Sequence, residues 1–192
     1  TSYFFRGTDV LFSFELLDVW RVKDIIFYVF LGLATGIASV YFSKMYFLIT
    51  RFFGWFSNAY VKIGIAALAI GLMLYLFPPL YGEGYGLINN LLNGNTEVAL
   101  SGIQYQIDFN NVWTVIAILL LIAVFKAIAM TTTFAAGGVG GIFIPTLFMG
   151  SALGNSVAKV INQFGFEVSE SNFTLIGMTG LMAGVLHAPL TA

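Results

Sequence analysis

Long apolar runs separated by short polar stretches organise this chain. The first runs from about Ile25 to Ile49, with Asp24 before it and Arg51 after it. The second, Val61 to Phe77, is stopped by Pro78-Pro79, and the third, Val112 to Phe134, is interrupted by one charge, Lys126. A fourth runs from Ile142 to about Ile161, and a fifth, Phe173 to Leu186, ends before Pro189. A hydrocarbon core about 30 Å thick takes roughly 20 apolar residues of helix, so these runs predict membrane helices, the fifth too short to span upright. Their uneven lengths predict broken or re-entrant helices, and none alternates as a barrel strand does.

Charge placement supports this reading. The sequence is 59% hydrophobic and 9% charged, far below the roughly one quarter charged residues of soluble domains. All nine acids (Asp9, Glu15, Asp18, Asp24, Glu83, Glu97, Asp108, Glu167 and Glu170) fall outside or at the edges of the runs. A carboxylate at the bilayer centre costs at least ~2.5–3.5 kcal/mol. Lys44, Arg51 and Lys62 surround the first inter-span loop, whereas 78–111 contains no Lys or Arg. The positive-inside rule therefore predicts a cytoplasmic loop near 51–60 and an extracytoplasmic connector over 78–111. Within the connector, Leu87 to Leu92 reads as a short helix.

Composition also excludes function classes. A net charge of −1 lacks the basic face of a nucleic-acid binder, so no nucleic-acid partner is expected. With no cysteine and a single histidine, His187, neither thiolate chemistry nor a multi-histidine metal site can form. There is no G-x-S-x-G elbow and no aspartate inside a span, so no catalytic residue, metal or cofactor is expected. The chain begins at Thr1 without a signal-peptide pattern and reads as an internal piece of a longer protein.

The most informative stretch is 135–145, Ala-Ala-Gly-Gly-Val-Gly-Gly-Ile-Phe-Ile-Pro. Four glycines in five positions hold a helix poorly, each costing about 1 kcal/mol relative to alanine, so the third helix should end near Phe134. Pro145 suits the first turn of a new helix, which predicts a helix N-terminus at Gly141, Ile142 and Phe143, amid apolar sequence. First-turn amides lack intrahelical partners, and the end carries about half a positive charge, so it can bind an anion without a charged side chain. One such end contributes only about 0.3–1 kcal/mol, up to about 2 when partly buried, so a permeating anion needs donors from further segments. A plain packing turn is the alternative. A dinucleotide fingerprint is excluded, because Phe143 replaces the third glycine and no strand precedes the cluster.

Gly141-Ile142-Phe143-Ile144-Pro145 resembles the G-x-F-x-P signature of the CLC chloride channels and chloride/proton antiporters. Downstream, Gly177-Met178 and the stretch Ala183 to Thr191, closing in Ala188-Pro189-Leu190-Thr191, resemble that family's A-P-L-T segment at matching distance. Lys126 stands where the family usually has a basic residue. The resemblance is firm over 112–192 and rests mainly on hydropathy over 25–111. It implies an all-α integral membrane protein, a CLC-like bundle of tilted and broken helices that is one of two inverted repeats. Residues 1–192 would be a partial transmembrane domain, most of the second half without its last helices, and 135–145 a glycine-rich filter turn. Voltage- or proton-linked chloride transport is implied, in a homodimer in the plasma or inner membrane. The amides of Ile142 and Phe143 would meet the anion, with Gly141 and Pro145 shaping the site. The family's G-S-G-I-P segment, its G-[KR]-E-G-P segment and its late tyrosine are absent from this sequence. A transporter of another anion such as fluoride or nitrate, and a non-conducting structural membrane subunit, are the alternatives.

Other positions carry two readings. Lys126 is either a snorkelling or protein-paired lysine or a cation lining a vestibule that attracts anions. His187 is either a helix-end residue or a pH sensor. Phe52, Phe53, Trp55 and Phe56, with Trp20 and Trp113, read as interfacial aromatics. Thr131, Thr132 and Thr133 read as bonding back to helix carbonyls. The pairs Gly32/Gly36, Gly150/Gly154 and Gly180/Gly184 predict close helix packing.

Overall fold

The structure, a computed structural model, describes residues 22–103 and 108–187. Trp20, the acids Asp9, Glu15 and Asp18, and the closing Ala188 to Thr191 motif lie outside the described residues. After a single 3₁₀ turn at Val22–Asp24 come α1 (Ile25–Gly54), α2 (Ala59–Leu76), a 3₁₀ turn at Pro78–Leu80, α3 (Tyr85–Leu92) and α4 (Thr96–Leu100). Then follow α5 (Val112–Ala135), α6 (Phe143–Gln163) and α7 (Glu170–Leu186). Asn58 and Asn111 cap α2 and α5 through their side chains, accepting from the amides of Tyr60 and Trp113 at 2.9 and 3.1 Å.

Helices α1, α5 and α7 run in the same direction. The Tyr41 hydroxyl of α1 donates to the Val124 carbonyl of α5 at 3.2 Å. Farther along, Ile49 and Phe53 pack with Ala135 and Ala136. On the other side, Tyr28 meets Phe173 of α7 with ring centroids 4.9 Å apart. Helix α6 runs back against α7, with Gly150 beside Gly177 and Gly154 beside Phe173.

Three helices, α1, α2 and α5, are long and apolar enough to cross a membrane. Helix α1 is 30 residues long, about 45 Å, so it exceeds the hydrocarbon thickness and must tilt or project. It buries only Leu31, Thr35, Phe42, Ile49 and Phe53, and α2 buries only Ala66. A helix that stays apolar on its uncovered faces suits lipid. The fourth expected span, α6, is not among these three. Helix α6 carries Ser151, Asn155, Ser156, Lys159 and Asn162, which lower its hydropathy, and it buries twelve residues, more than any other described helix. It is wrapped in protein.

The connector differs from a surface loop. Leu80, Leu87, Ile88, Leu91, Leu92, Ala99 and Leu100 sit in the same core as Phe148 and Leu181. Helix α3 starts two residues before the expected Leu87, and α4 adds a second short helix to the connector.

Two of the three glycine pairs pack as the pattern predicts. A Cβ on Gly180 would meet Thr35 Oγ1 at 2.9 Å and one on Gly184 would meet Ser39 Cβ at 2.9 Å. Gly32 and Gly36 have nothing within 4 Å of such an atom, so that pair packs nothing among the described residues. Thr35 and Ser39 occupy the contacting face instead. Phe53 belongs to the core at 3% exposure, whereas Trp55 is 74% exposed. Thr131 and Thr133 donate to the carbonyls of Ala127 and Ala129.

Candidate anion site at the start of α6

The turn between α5 and α6 is closed on one side and open on the other. Gly137 takes a φ of +96°. Its amide donates to the Phe134 carbonyl at 3.0 Å, and the Gly138 amide reaches the Thr133 carbonyl at 2.9 Å. These two bonds form a Schellman closure, which satisfies the last carbonyls of α5 and explains why that helix stops at Ala135. From Gly137 to Gly141 the chain is exposed, with Val139 at the tip.

Helix α6 then begins at Phe143, with Ile142 as its N-cap at φ −79°, ψ −27° and no side-chain cap. Its first internal bond runs from the Thr146 amide to the Ile142 carbonyl at 3.2 Å. The amides of Ile142, Phe143 and Ile144 meet no acceptor among the described residues. Pro145 is the third helical residue, where a missing N–H removes no helical bond. The helix start expected at 141–143 is therefore where α6 begins.

Depth follows from neighbours. Gly140 and Gly141 line one cavity with Ile70 and Leu74 of α2, a helix that begins at Ala59. The turn opens within the length of a membrane helix rather than beyond its end.

A cavity of about 430 Å³ adjoins this end, lined by Gly140, Gly141, Phe143, Ile144 and Pro145 on one side and by Gly82, Glu83 and Lys126 on another. The structure thus brings Lys126 to the same space as the glycine turn. Lys126 is 5% exposed, and its ammonium donates to the carbonyls of Leu80 and Gly82 at 3.1 and 2.8 Å. It also lies 4.6 Å from the centroid of the Phe148 ring. Of the two sequence readings, a protein-paired lysine describes its contacts, while its charge still borders the cavity. Glu83, Gly82 and Phe148 were not singled out from sequence; the available signal was Gly-Glu-Gly at 82–84 in a segment without basic residues.

His187 closes α7 in the left-handed region at φ 54°, so its main chain ends the helix. Among the described residues, no group of His, Asp and Glu is arranged to hold a metal. Chemically, the site offers backbone donors and a helix N-terminal partial charge, features that can hold an anion, while both Lys126 and Glu83 line the adjoining cavity.

Comparison with known proteins gives the chain a family. The family described as voltage gated chloride channel matches the chain over residues 1–192. A ClcB-like chloride channel protein of Ralstonia nicotianae is 27% identical over 97% of this chain and 40% of its own length. A chloride channel protein CLC-f of Arabidopsis thaliana is 24% identical over 97% of this chain and 24% of its own length. An H(+)/Cl(-) exchange transporter ClcA of Yersinia pestis is 27% identical over 98% of this chain and 37% of its own length. The chain spans two fifths or less of the length of each of these relatives.

Proposed function

This chain belongs to the voltage gated chloride channel family, and from that premise we propose that it contributes the α6 end of an anion pathway in a protein that moves chloride across a membrane. The observation that carries the reading is the uncapped start of α6: the amides of Ile142 and Phe143 meet no acceptor among the described residues, beside a cavity lined by Gly141, Phe143, Ile144 and Pro145 of the family's Gly141-Ile142-Phe143-Ile144-Pro145 motif. Gly141 lets the chain approach an ion closely, and Pro145 leaves the first turn without a further donor. Lys126 adds positive potential to the same space. Segments beyond this chain supply the remaining donors, because one helix end contributes at most about 2 kcal/mol. A chloride channel protein and an exchange transporter are both similar to this chain, and we read the transport as voltage- or proton-linked. We further read 78–111 as facing the extracytoplasmic side, and the parent as a multi-pass homodimer in the plasma or inner membrane.

Chloride efflux from proteoliposomes of the complete protein, with a pH electrode in the same vessel, tests the activity. Chloride release is expected, accompanied by proton movement if the protein is an exchanger. A protein that reconstitutes as an intact dimer and releases no chloride would favour a structural subunit and contradict the reading.

A further inference from the structure

We propose that Lys126, Phe148 and Gly84 form a latch that holds the Leu80–Glu83 turn of the connector against α6, and so sets the mouth of the cavity into which the first amides of α6 open. The functional half of this inference rests on the anion-site reading; the mechanical half does not.

Three segments meet at one ring. The Phe148 side chain is fully buried and lies five residues, about 7.5 Å of helix, past the first residue of α6. Over it stands the Lys126 ammonium of α5, at 4.6 Å from the centroid, within the range of a cation–π contact. At the ring's edge lies Gly84, whose φ of +85° and position leave no room for a Cβ, since one would collide with Phe148 Cδ2 and Cε2. The connector at Tyr81–Gly84 belongs to no helix, and its glycines at φ +63° and +85° give it little stiffness of its own. Lys126 supplies what the turn lacks, through charge-assisted bonds to the Leu80 and Gly82 carbonyls. An ammonium has three donors. A cation serving only to attract anions would present them to the cavity, whereas here at least two are committed to the connector. Lys126 is therefore a positioning residue whose charge fastens one wall of the cavity to the helix that forms the other.

The test uses a nitroxide at Glu83→Cys, an exposed residue at the cavity edge, in the complete protein with any cysteines outside this cysteine-free segment replaced. Its mobility is read by electron paramagnetic resonance in liposomes. The latch predicts a slow label in the otherwise unsubstituted protein and motion faster by about twofold or more in Lys126→Met and in Phe148→Leu. The double variant should be no faster than either single one, the non-additivity expected of touching residues. Gly84→Ala should loosen the label as well, and Phe148→Leu, which keeps the lysine and its charge, carries the test should Lys126→Met not fold. Chloride flux from the same liposomes should fall by about threefold or more in all three variants. A purely electrostatic Lys126 leaves Phe148→Leu indistinguishable from the parent in both readouts and overturns the latch, as does an equally slow label in every variant. A loosened label in a protein that moves no chloride before substitution upholds the latch and defeats the transport reading instead.

Discussion

Glycine performs opposite tasks at two places about ten residues apart. Along the α6–α7 seam, Gly150, Gly154 and Gly177 are pressed main chain against main chain. A Cβ on Gly150 would lie 2.6 Å from Met178 Cα, and one on Gly177 would lie 2.8 Å from Gly154 Cα. In the α5–α6 turn, a Cβ on Gly141 would meet nothing within 4 Å, and the chain from Gly137 to Gly141 is exposed. One set of glycines excludes everything between two helices; the other keeps a helix end open to whatever comes. In lipid, where apolar burial does not drive helices together, close approach of small residues does. A rigid α6–α7 pair thus gives the open end of α6 a fixed base, which is what prearranged amides require.

The largest effect expected from breaking this contrast is at the seam. Gly154→Val should destabilise the protein by about 1–3 kcal/mol or prevent folding, because its side chain enters the Phe173 carbonyl. Thermal unfolding followed by size exclusion in detergent measures this. Gly137→Ala should cost about 1–2 kcal/mol by the same assay, through strain at φ +96° rather than crowding, since its surroundings are open. Glu170→Gln weakens the 2.7 Å pair with Lys159 that ties the same two helices. Both side chains are partly exposed, so a loss of only about 0.2–1 kcal/mol is expected, shrinking further in high salt. Gly141→Ala, with ordinary φ and free space, should change stability by less than about 0.5 kcal/mol. If Gly141→Ala unfolds the protein as Gly154→Val does, the two regions are not different in kind.

Sequence pattern reveals the two regions unequally. The turn is legible because four glycines and a proline interrupt apolar sequence, and the rules for helix ends are local: Gly137 and Gly138 close α5 with carbonyls only three to five residues back. The seam is half legible. The spacing of Gly150 and Gly154 marks a packing face, but Gly32 and Gly36 carry the same mark and face open space. What lies opposite a small residue is a tertiary fact. Lys126 shows the limit most clearly. Its acceptors are main-chain carbonyls 44 and 46 residues upstream, and every residue has a carbonyl, so no residue type betrays the partner. Hydropathy misleads at α6 for a related reason: it reports the average character of a run, whereas what surrounds a helix is decided by its neighbours. The connector's short helix is legible at Leu87 to Leu92, but its depth is not: Leu87, Ile88, Leu91 and Leu92 form one face that enters the core.

The open start of α6 is proposed to meet an anion with main-chain amides. Crystals of the complete protein soaked in bromide test it most directly, through the anomalous signal. A peak is expected within hydrogen-bond distance of the Ile142 and Phe143 amides. Bromide bound elsewhere in the protein, with no peak at those amides, would contradict it.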